Sequence, residues 1–548
     1  MQEHKKPNFL KGAAILAATG VFVKIVGAIY QLPILSALDD EGVGYFHVTY
    51  TVYSFLLAIS TAGVPVALSR LISSAAANGN TALIKRYYSV AMPAFILIGI
   101  AVMCVMFFFA DQLAILMNSE HAATGIKVLA PAVFFVCVIS VFRGYAQGFQ
   151  DMIPTATSQL IEVVCKAAFG ISIAFYLAGA GLPSQYVSAG AITGVTIGLG
   201  LCIPVMIVYK KKTDKINIGT QSDNSDQHEL PGRFHTLMRF LRVSVVISLS
   251  ASFMSIMGVV DTSVVSSRLQ NALGFNEAQA MAELGLFRRG LSIYNLPPSL
   301  VVPLAVSMIP AIAAAVARNN KDESNTIMQS SIKLTNLFAM PACAGIMVLA
   351  GPILKALFVV PGQSAERFAT TAVILTILGA ASYFVCLQHM TIATLQANGY
   401  ERVALLTFPA GAIVRIALSY FLVGNPNIGI LGSPVATLAC FAVIVILNVI
   451  FILVKIKARM NIISGFLRPL LCTVVMAIIA YFTYEGIYRV GSGIIGTGVN
   501  AVRIYLAVAI LVGIVSYFAL VIFTRVIKRE DLIHFPKGEK AAKFLRVK

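Results

Sequence analysis

The chain has 548 residues, 58% of them hydrophobic and only 12% charged, with a formal net charge of +18; its mean hydropathy is +0.85. So much apolar surface has no place in a water-soluble domain of this length, whereas roughly 20 apolar residues cross a bilayer as one helix. Long apolar runs without alternation also exclude a β-barrel, since a lone backbone in lipid satisfies its polar groups only as a helix. The expected class is all-α, a polytopic membrane protein.

The opening, MQEHKKPNFLKG, is basic before an apolar run, as in a signal peptide. That run is too long, lacks a clear small-residue cleavage site and is followed by further spans, so it reads as an uncleaved first helix. Fourteen transmembrane helices are expected, at about 10–35, 47–72, 88–110, 123–147, 156–179, 185–209, 239–265, 289–317, 329–350, 368–396, 402–423, 430–455, 465–486 and 499–525. Residues 276–289 read as a short amphipathic lead-in to the eighth. An even count returns both termini to one side, and the side rich in Lys and Arg is cytoplasmic. That side holds Lys210, Lys211, Lys212, Lys215, Lys455, Lys457, Arg459 and the tail from Arg525 to Lys548, while Asp39, Asp40, Glu41, Asp111 and Glu120 fall in the outer loops. The expectation is a multi-pass cell-membrane protein with N-terminus and C-terminus both cytoplasmic.

The longest polar stretch contains SDNSDQHELPG and divides the chain. It gives an N-terminal six-helix bundle (1–209), a basic cytoplasmic linker (210–238), a second six-helix bundle (239–460), two additional helices (461–527) and a basic tail (528–548). The bundles carry matching segments. FRGYAQGFQDMIPTATSQLIEVVCK runs from Phe142 to Lys166, and LQANGYERVALLTFPAGAIVR from Leu395 to Arg415; Gln147 precedes Lys166 by 19 residues, and Gln396 precedes Arg415 by the same 19. VPVALSRLISSA from Val64 likewise matches VPLAVSMIPAIAAA from Val302. Six spans return the chain to its starting side, so the repeats are parallel, a recurrent transporter plan. The eight cysteines lie in apolar segments with no CxxC pairing, which argues against a disulfide frame or a metal site.

Charges inside spans cost roughly 2.5–3.5 kcal/mol each on insertion scales, so each calls for a partner or water. Lys24, Lys166 and Arg415 are the candidate substrate-binding cations of a water-filled cavity suited to an anionic headgroup; the alternative is snorkelling or local neutralisation. Glu162 and Lys166 stand four apart, on one helical face, and are able to pair. Asp261, in MGVVDTSVV, is the ion-coupling candidate, for Na⁺ or H⁺, or else the partner of a cavity cation. Arg70, Arg143, Glu162, Arg288, Arg289 and His389 complete the cavity or gating candidates. Arg70 and Arg143 also read as positive-inside anchors, and Arg288 and Arg289 as caps of the lead-in. No phosphate-binding glycine loop, HExxH or GxSxG occurs. No enzyme, resident cofactor or metal is expected, only ion coupling or the membrane potential as the drive.

The hairpin residues Arg143, Gly144, Gln147, Gly148, Pro154, Thr155 and Ala156 carry a resemblance to a known family. With the fourteen spans, the chain resembles the polysaccharide-exporter and MurJ branch of the multidrug/oligosaccharidyl-lipid/polysaccharide superfamily. GLFRRGLSIYNLPPSLVVPLAVSMIPAIAAA is similar to the eighth-span region of the SpoVB-like members. The resemblance implies V-shaped bundles, alternating access and an undecaprenyl-diphosphate-linked saccharide as substrate, with lipid II leading, for peptidoglycan or other envelope polysaccharide. It implies a groove for the lipid tail at the last two spans. One stretch departs from the arginine-rich members. In KIVGAIYQ, Lys24 keeps a cation, but Tyr30 and Gln31 stand where an Arg-Asp pair is usual. The main alternative is a cation-coupled multidrug exporter of the same superfamily; an enzyme on lipid-linked sugars and a scaffold in an envelope-synthesis complex are the others. Expected partners are the lipid-linked saccharide, the bilayer and envelope-synthesis proteins, and no nucleic acid.

Overall fold

The structure is a computed structural model that describes residues 19, 22–23, 26–27, 30, 33–61, 63–77, 79–149, 151–217, 232–318, 320–358, 365–456, 463–493, 496 and 498–524. Lys24, Gln31, most of the expected first span, residues 218–231 of the linker and the basic tail lie outside the described residues. The described secondary structure is all helical, and eleven described helices are long and apolar enough to cross a membrane. The eleven overlap the expected second to sixth and ninth to fourteenth spans.

Contacts divide the chain into two compact units, Met1–Gly285 and Leu286–Lys548. The first contains α1 (Asp40–Thr61), α2 (Val64–Ala77), α3 (Thr81–Phe108), α4 (Ala110–Leu116), α5 (Ala123–Gly148), α6 (Ile153–Gly179), α7 (Ser184–Asn217) and α8 (Arg233–Asn271). The division falls inside α9 (Glu277–Tyr294). The second unit continues with α10 (Leu296–Ala317), α11 (Lys321–Val348), α12 (Ala350–Leu357), α13 (Ala365–Ala397), α14 (Ala404–Val423), α15 (Gly432–Phe451), α16 (Arg468–Gly491) and α17 (Val499–Phe523).

Two sequence expectations change in detail. The span expected at 47–72 is two helices, α1 and α2, interrupted at Gly63 ahead of Pro65, where glycine and a proline without a donor N–H loosen the ladder. The lead-in at 276–289 is a full helix, α9. Asn276 Oδ1 accepts from the Gln279 N–H at 2.8 Å, and Gln279 Oε1 accepts from the Asn276 N–H at 3.1 Å, a reciprocal cap. It stops before Leu296-Pro297-Pro298, which opens α10.

The repeat is visible in local geometry. Asn80 caps α3 by accepting from Leu83 N–H at 2.8 Å, and Asn320 caps α11 by accepting from Glu323 N–H at 3.1 Å. Both helices run 28 residues and end on residues of almost identical backbone, Phe109 (φ −103°, ψ 20°) and Leu349 (φ −102°, ψ 20°). A short helix, α4 or α12, follows each.

Helix α8 opens the second sequence repeat yet packs on α1, α2 and α3. Two glycines let α9 reach α1 backbone to backbone: a methyl on Gly44 would strike the Met281 carbonyl, and one on Gly285 the Asp40 carbonyl. A loop after α4 ties the ends of α8 and α9. Leu116 O accepts from Ser263 Oγ at 2.9 Å, and Asn118 O from Gln270 Nε2 at 2.6 Å and Ser266 Oγ at 3.1 Å. Glu277 accepts from the His121 N–H and meets His121 Nδ1, both at 2.9 Å. Asn118 (φ 52°) is the one non-glycine residue with positive φ among the described residues. In the second unit, Asn336 donates to Gly465 O at 2.7 Å and accepts from Tyr383 Oη at 3.0 Å, tying the turn just ahead of α16 to α11 and α13. Leu334, Leu337, Cys472, Met476, Tyr517 and Val521 form the apolar part of that seam.

Candidate functional site

The hairpin of α5 and α6 is a ladder of side chains. Successive turns of α5 present Arg143 and Gln147 to α6. Gln147 Nε2 donates to Thr155 Oγ1 at 3.1 Å, Arg143 Nε donates to Ser158 Oγ at 2.8 Å, and Arg143 Nη2 pairs with Glu162 Oε2 at 3.3 Å. The next face of α5 carries Gly144 and Gly148, against which α2 lies flush: a methyl at Gly144 would sit 2.9 Å from Pro65 Cα, and one at Gly148 2.6 Å from Ile72 Cβ. The R-G-x-x-Q-G motif therefore serves two neighbours at once. Its polar members join α6 and its glycines admit α2. Pro154 falls in the first turn of α6, where its missing N–H costs nothing.

Glu162 is thus paired with Arg143 and not with Lys166, its neighbour at i+4. The pair is only 15% and 34% exposed at its two side chains, so losing either partner would leave a charge poorly solvated. Lys166 meets a different environment. Its Nζ lies 5.0 Å from the ring centroid of Tyr30 and 5.0 Å from that of Tyr50. Among the described residues no carboxylate lies within ion-pair distance of it. Each such cation–π contact is worth about 0.5–2 kcal/mol, depending on how dry it is. Tyr30 is only 4% exposed. Tyr50 is stacked on Phe46 at 6.1 Å and tilted against Tyr53 at 5.6 Å, so its ring is held from behind.

The α1–α8 interface is polar where Asp261 enters it. His47, buried in α1, has Nε2 3.2 Å from Thr262 Oγ1 and Nδ1 3.2 Å from Thr51 Oγ1. Thr262 donates its own proton to Gly258 O at 2.8 Å. The hydroxyls of Thr262 and Thr51 thus flank the buried ring. Asp261, 4% exposed, is the residue before Thr262 on the same helix.

In the second unit Arg415 lies half-buried on α14 and is an electrostatic neighbour of Tyr294 at the end of α9. Arg289 is 1% exposed, the largest fully buried side chain among the described residues, and its guanidinium sits 5.6 Å from the Phe358 ring centroid. Arg288 and His389 are half-buried, and Arg70 is exposed on α2. The structure therefore gathers Arg143, Glu162 and Lys166 in one place. Asp261 belongs to the same unit, and Arg288, Arg289, His389 and Arg415 to the other. Among the described residues no three His, Cys, Asp or Glu side chains converge as metal ligands would.

Sequence reasoning passed over Tyr30 and Tyr50 as partners of Lys166, His47 as the polar contact of α8, and Lys333, 8% exposed on α11. His47 and Lys333 had a signal, being ionisable residues at the edges of apolar runs. The tyrosines had none, because nothing in their spacing ties them to a residue more than a hundred positions away.

Comparison with known proteins follows this geometry. The family model described as "Polysaccharide biosynthesis protein" matches residues 9–316. The chain is 27% identical to the uncharacterized membrane protein YabM of Bacillus subtilis over 98% of this chain and 96% of that one. It is 23% identical to stage V sporulation protein B of the same organism, over 81% and 83%. Among solved structures, the lipid II flippase MurJ in an inward closed conformation superposes with a TM-score of 0.66 at 16% identity, covering 94% of this chain and 98% of that one. An inward-facing multidrug resistance MATE family transporter gives 0.64 at 18% identity, over 81% and 98%.

Proposed function

We propose that this chain, which belongs to the polysaccharide biosynthesis protein family, moves an undecaprenyl-diphosphate-linked saccharide, with lipid II the leading candidate, from the inner to the outer leaflet by alternating access. It is a multi-pass membrane protein of the multidrug/oligosaccharidyl-lipid/polysaccharide superfamily, and one of its relatives, at 22% identity, is named a lipid II flippase. The observation that carries the choice of substrate is the state of Lys166. The nearby carboxylate, Glu162, is taken up by Arg143, and Lys166 is bounded by two neutral rings. The site keeps a net positive charge, which suits a diphosphate.

The fold alone fits a multidrug exporter equally well, as the MATE superposition makes plain. A cation exporter needs acidic and aromatic groups open to its cargo. Here the aromatic pair of the first unit is already filled by the chain's own lysine. In this reading Lys24, Lys166 and Arg415 bind the diphosphate during the cycle, and Asp261 links transport to a Na⁺ or H⁺ gradient. Both termini face the cytoplasm.

The test is rescue of a strain depleted of its lipid II flippase, with lipid II measured in each leaflet. Wild type should restore outer-leaflet lipid II, and Lys166→Ala and Arg415→Ala, expressed to the same level, should lose most of that activity. Well-expressed wild type that fails to rescue, but lowers accumulation of a cationic dye, would replace this reading with the drug exporter.

A further inference from the structure

We infer that Tyr30 and Tyr50 are positioning residues for Lys166: they hold its ammonium in place without cancelling its charge, and so set the preference of the site for an anionic group. The inference rests on the anionic-substrate reading above and goes on to say how the chain maintains it.

An ammonium inside a bundle needs attraction from its surroundings, and proteins supply it in two ways. A carboxylate attracts it and neutralises it. An aromatic face attracts it through the ring quadrupole and carries no net charge. Lys166 has the second arrangement, with two rings at 5.0 Å, and the carboxylate one turn away is diverted to Arg143. The ammonium bears three donors; the Tyr50 side chain engages one, and the others remain for an oxygen ligand.

The rings are themselves fixed. Tyr50 leans on Phe46 and Tyr53, the latter 3% exposed. Tyr30 is wedged against α6 at Gly170, where a methyl would stand 3.3 Å from Tyr30 Oη and 2.7 Å from Ala191 O. The Tyr30 hydroxyl is buried and has no hydrogen-bond partner among the described residues. The backbone beneath Lys166 is equally constrained: a methyl on Gly194 would sit 2.7 Å from Lys166 O.

The experiment uses the purified full chain in lipid nanodiscs and two soluble probes, farnesyl diphosphate and the uncharged farnesol. Wild type should bind the diphosphate at least tenfold more tightly than the alcohol. Lys166→Gln should bring the two probes together, and Tyr30→Leu/Tyr50→Leu should do the same while leaving farnesol binding within about twofold. Tyr30→Phe/Tyr50→Phe, which keeps both faces, should retain the wild-type preference. Loss of binding to both probes in the leucine variant alone, with the phenylalanine variant intact, would assign the rings to packing and overturn the inference. A leucine variant that keeps the diphosphate preference while Lys166→Gln loses it would also overturn it, leaving the anionic reading standing. Wild type with no preference for the diphosphate would remove both.

Discussion

In the first hairpin Arg143 and Gln147 reach across from α5 to Ser158, Glu162 and Thr155 of α6. The second closes through its backbone. Gly399 (φ 80°) reverses the chain, the Tyr400 N–H donates to Leu395 O at 2.9 Å, and a single 3-10 turn, Glu401–Val403, leads into α14. The 19-residue spacing to the cation is common to both, and each cation has a tyrosine for company: Tyr30 and Tyr50 at Lys166, Tyr294 at Arg415. The spacing thus specifies where a charge enters each bundle, while the surrounding side chains decide whether it is compensated. Of the two second helices only α6 carries an acid, Glu162, and α5 brings the arginine that occupies it.

The largest effect is expected from separating that pair. Arg143→Ala frees Glu162 to neutralise Lys166 and should reduce transport by about tenfold or more, since 1.4 kcal/mol is a factor of ten. Arg143→Ala/Glu162→Gln removes both charges and should recover most of the loss. Equal transport defects in the single and double variants would mean that the pair acts on folding and not on charge.

A smaller contrast concerns the helix seams. A methyl on Gly194 would meet the Gly170 backbone nitrogen at 2.5 Å, whereas one on Gly411 would meet the Ile444 side chain at 2.5 Å. Backbone yields less readily than a side chain. Gly194→Ala should cost about 1–3 kcal/mol and lower the melting temperature by several degrees, roughly 2–4 °C for each kcal/mol. Gly411→Ala should cost less, and thermal unfolding of both variants checks the order. The smallest effect is at the second turn, where Gly399→Ala places a side chain at positive φ for about 1 kcal/mol, and Gly399→Asn for less. If both leave the melting temperature unchanged, the backbone closure contributes nothing to that hairpin.

The helices, the repeat and the positions of the intramembrane charges were legible in the sequence because hydropathy and spacing are local properties. Partner choice was not. Glu162 and Lys166 share a helical face, so sequence favours their pairing, but Arg143 approaches Glu162 from another helix. Arg289 illustrates the same limit: nothing in the sequence ties it to Phe358, 69 positions on, whose ring its guanidinium approaches. Repeat symmetry likewise assigns α8 to the second bundle, whereas His47 and Thr51 give α1 a polar stripe that only a polar helix such as α8 satisfies.

The docking of α8 has a consequence for biosynthesis. A nascent chain that has delivered α7 to the membrane still lacks the α8 partner of His47 and the α8 donors to the loop carbonyls of Leu116 and Asn118, until α8 arrives. At about 5–20 residues per second, translating the intervening stretch takes on the order of ten seconds. Over that interval the first unit is inserted but unfinished.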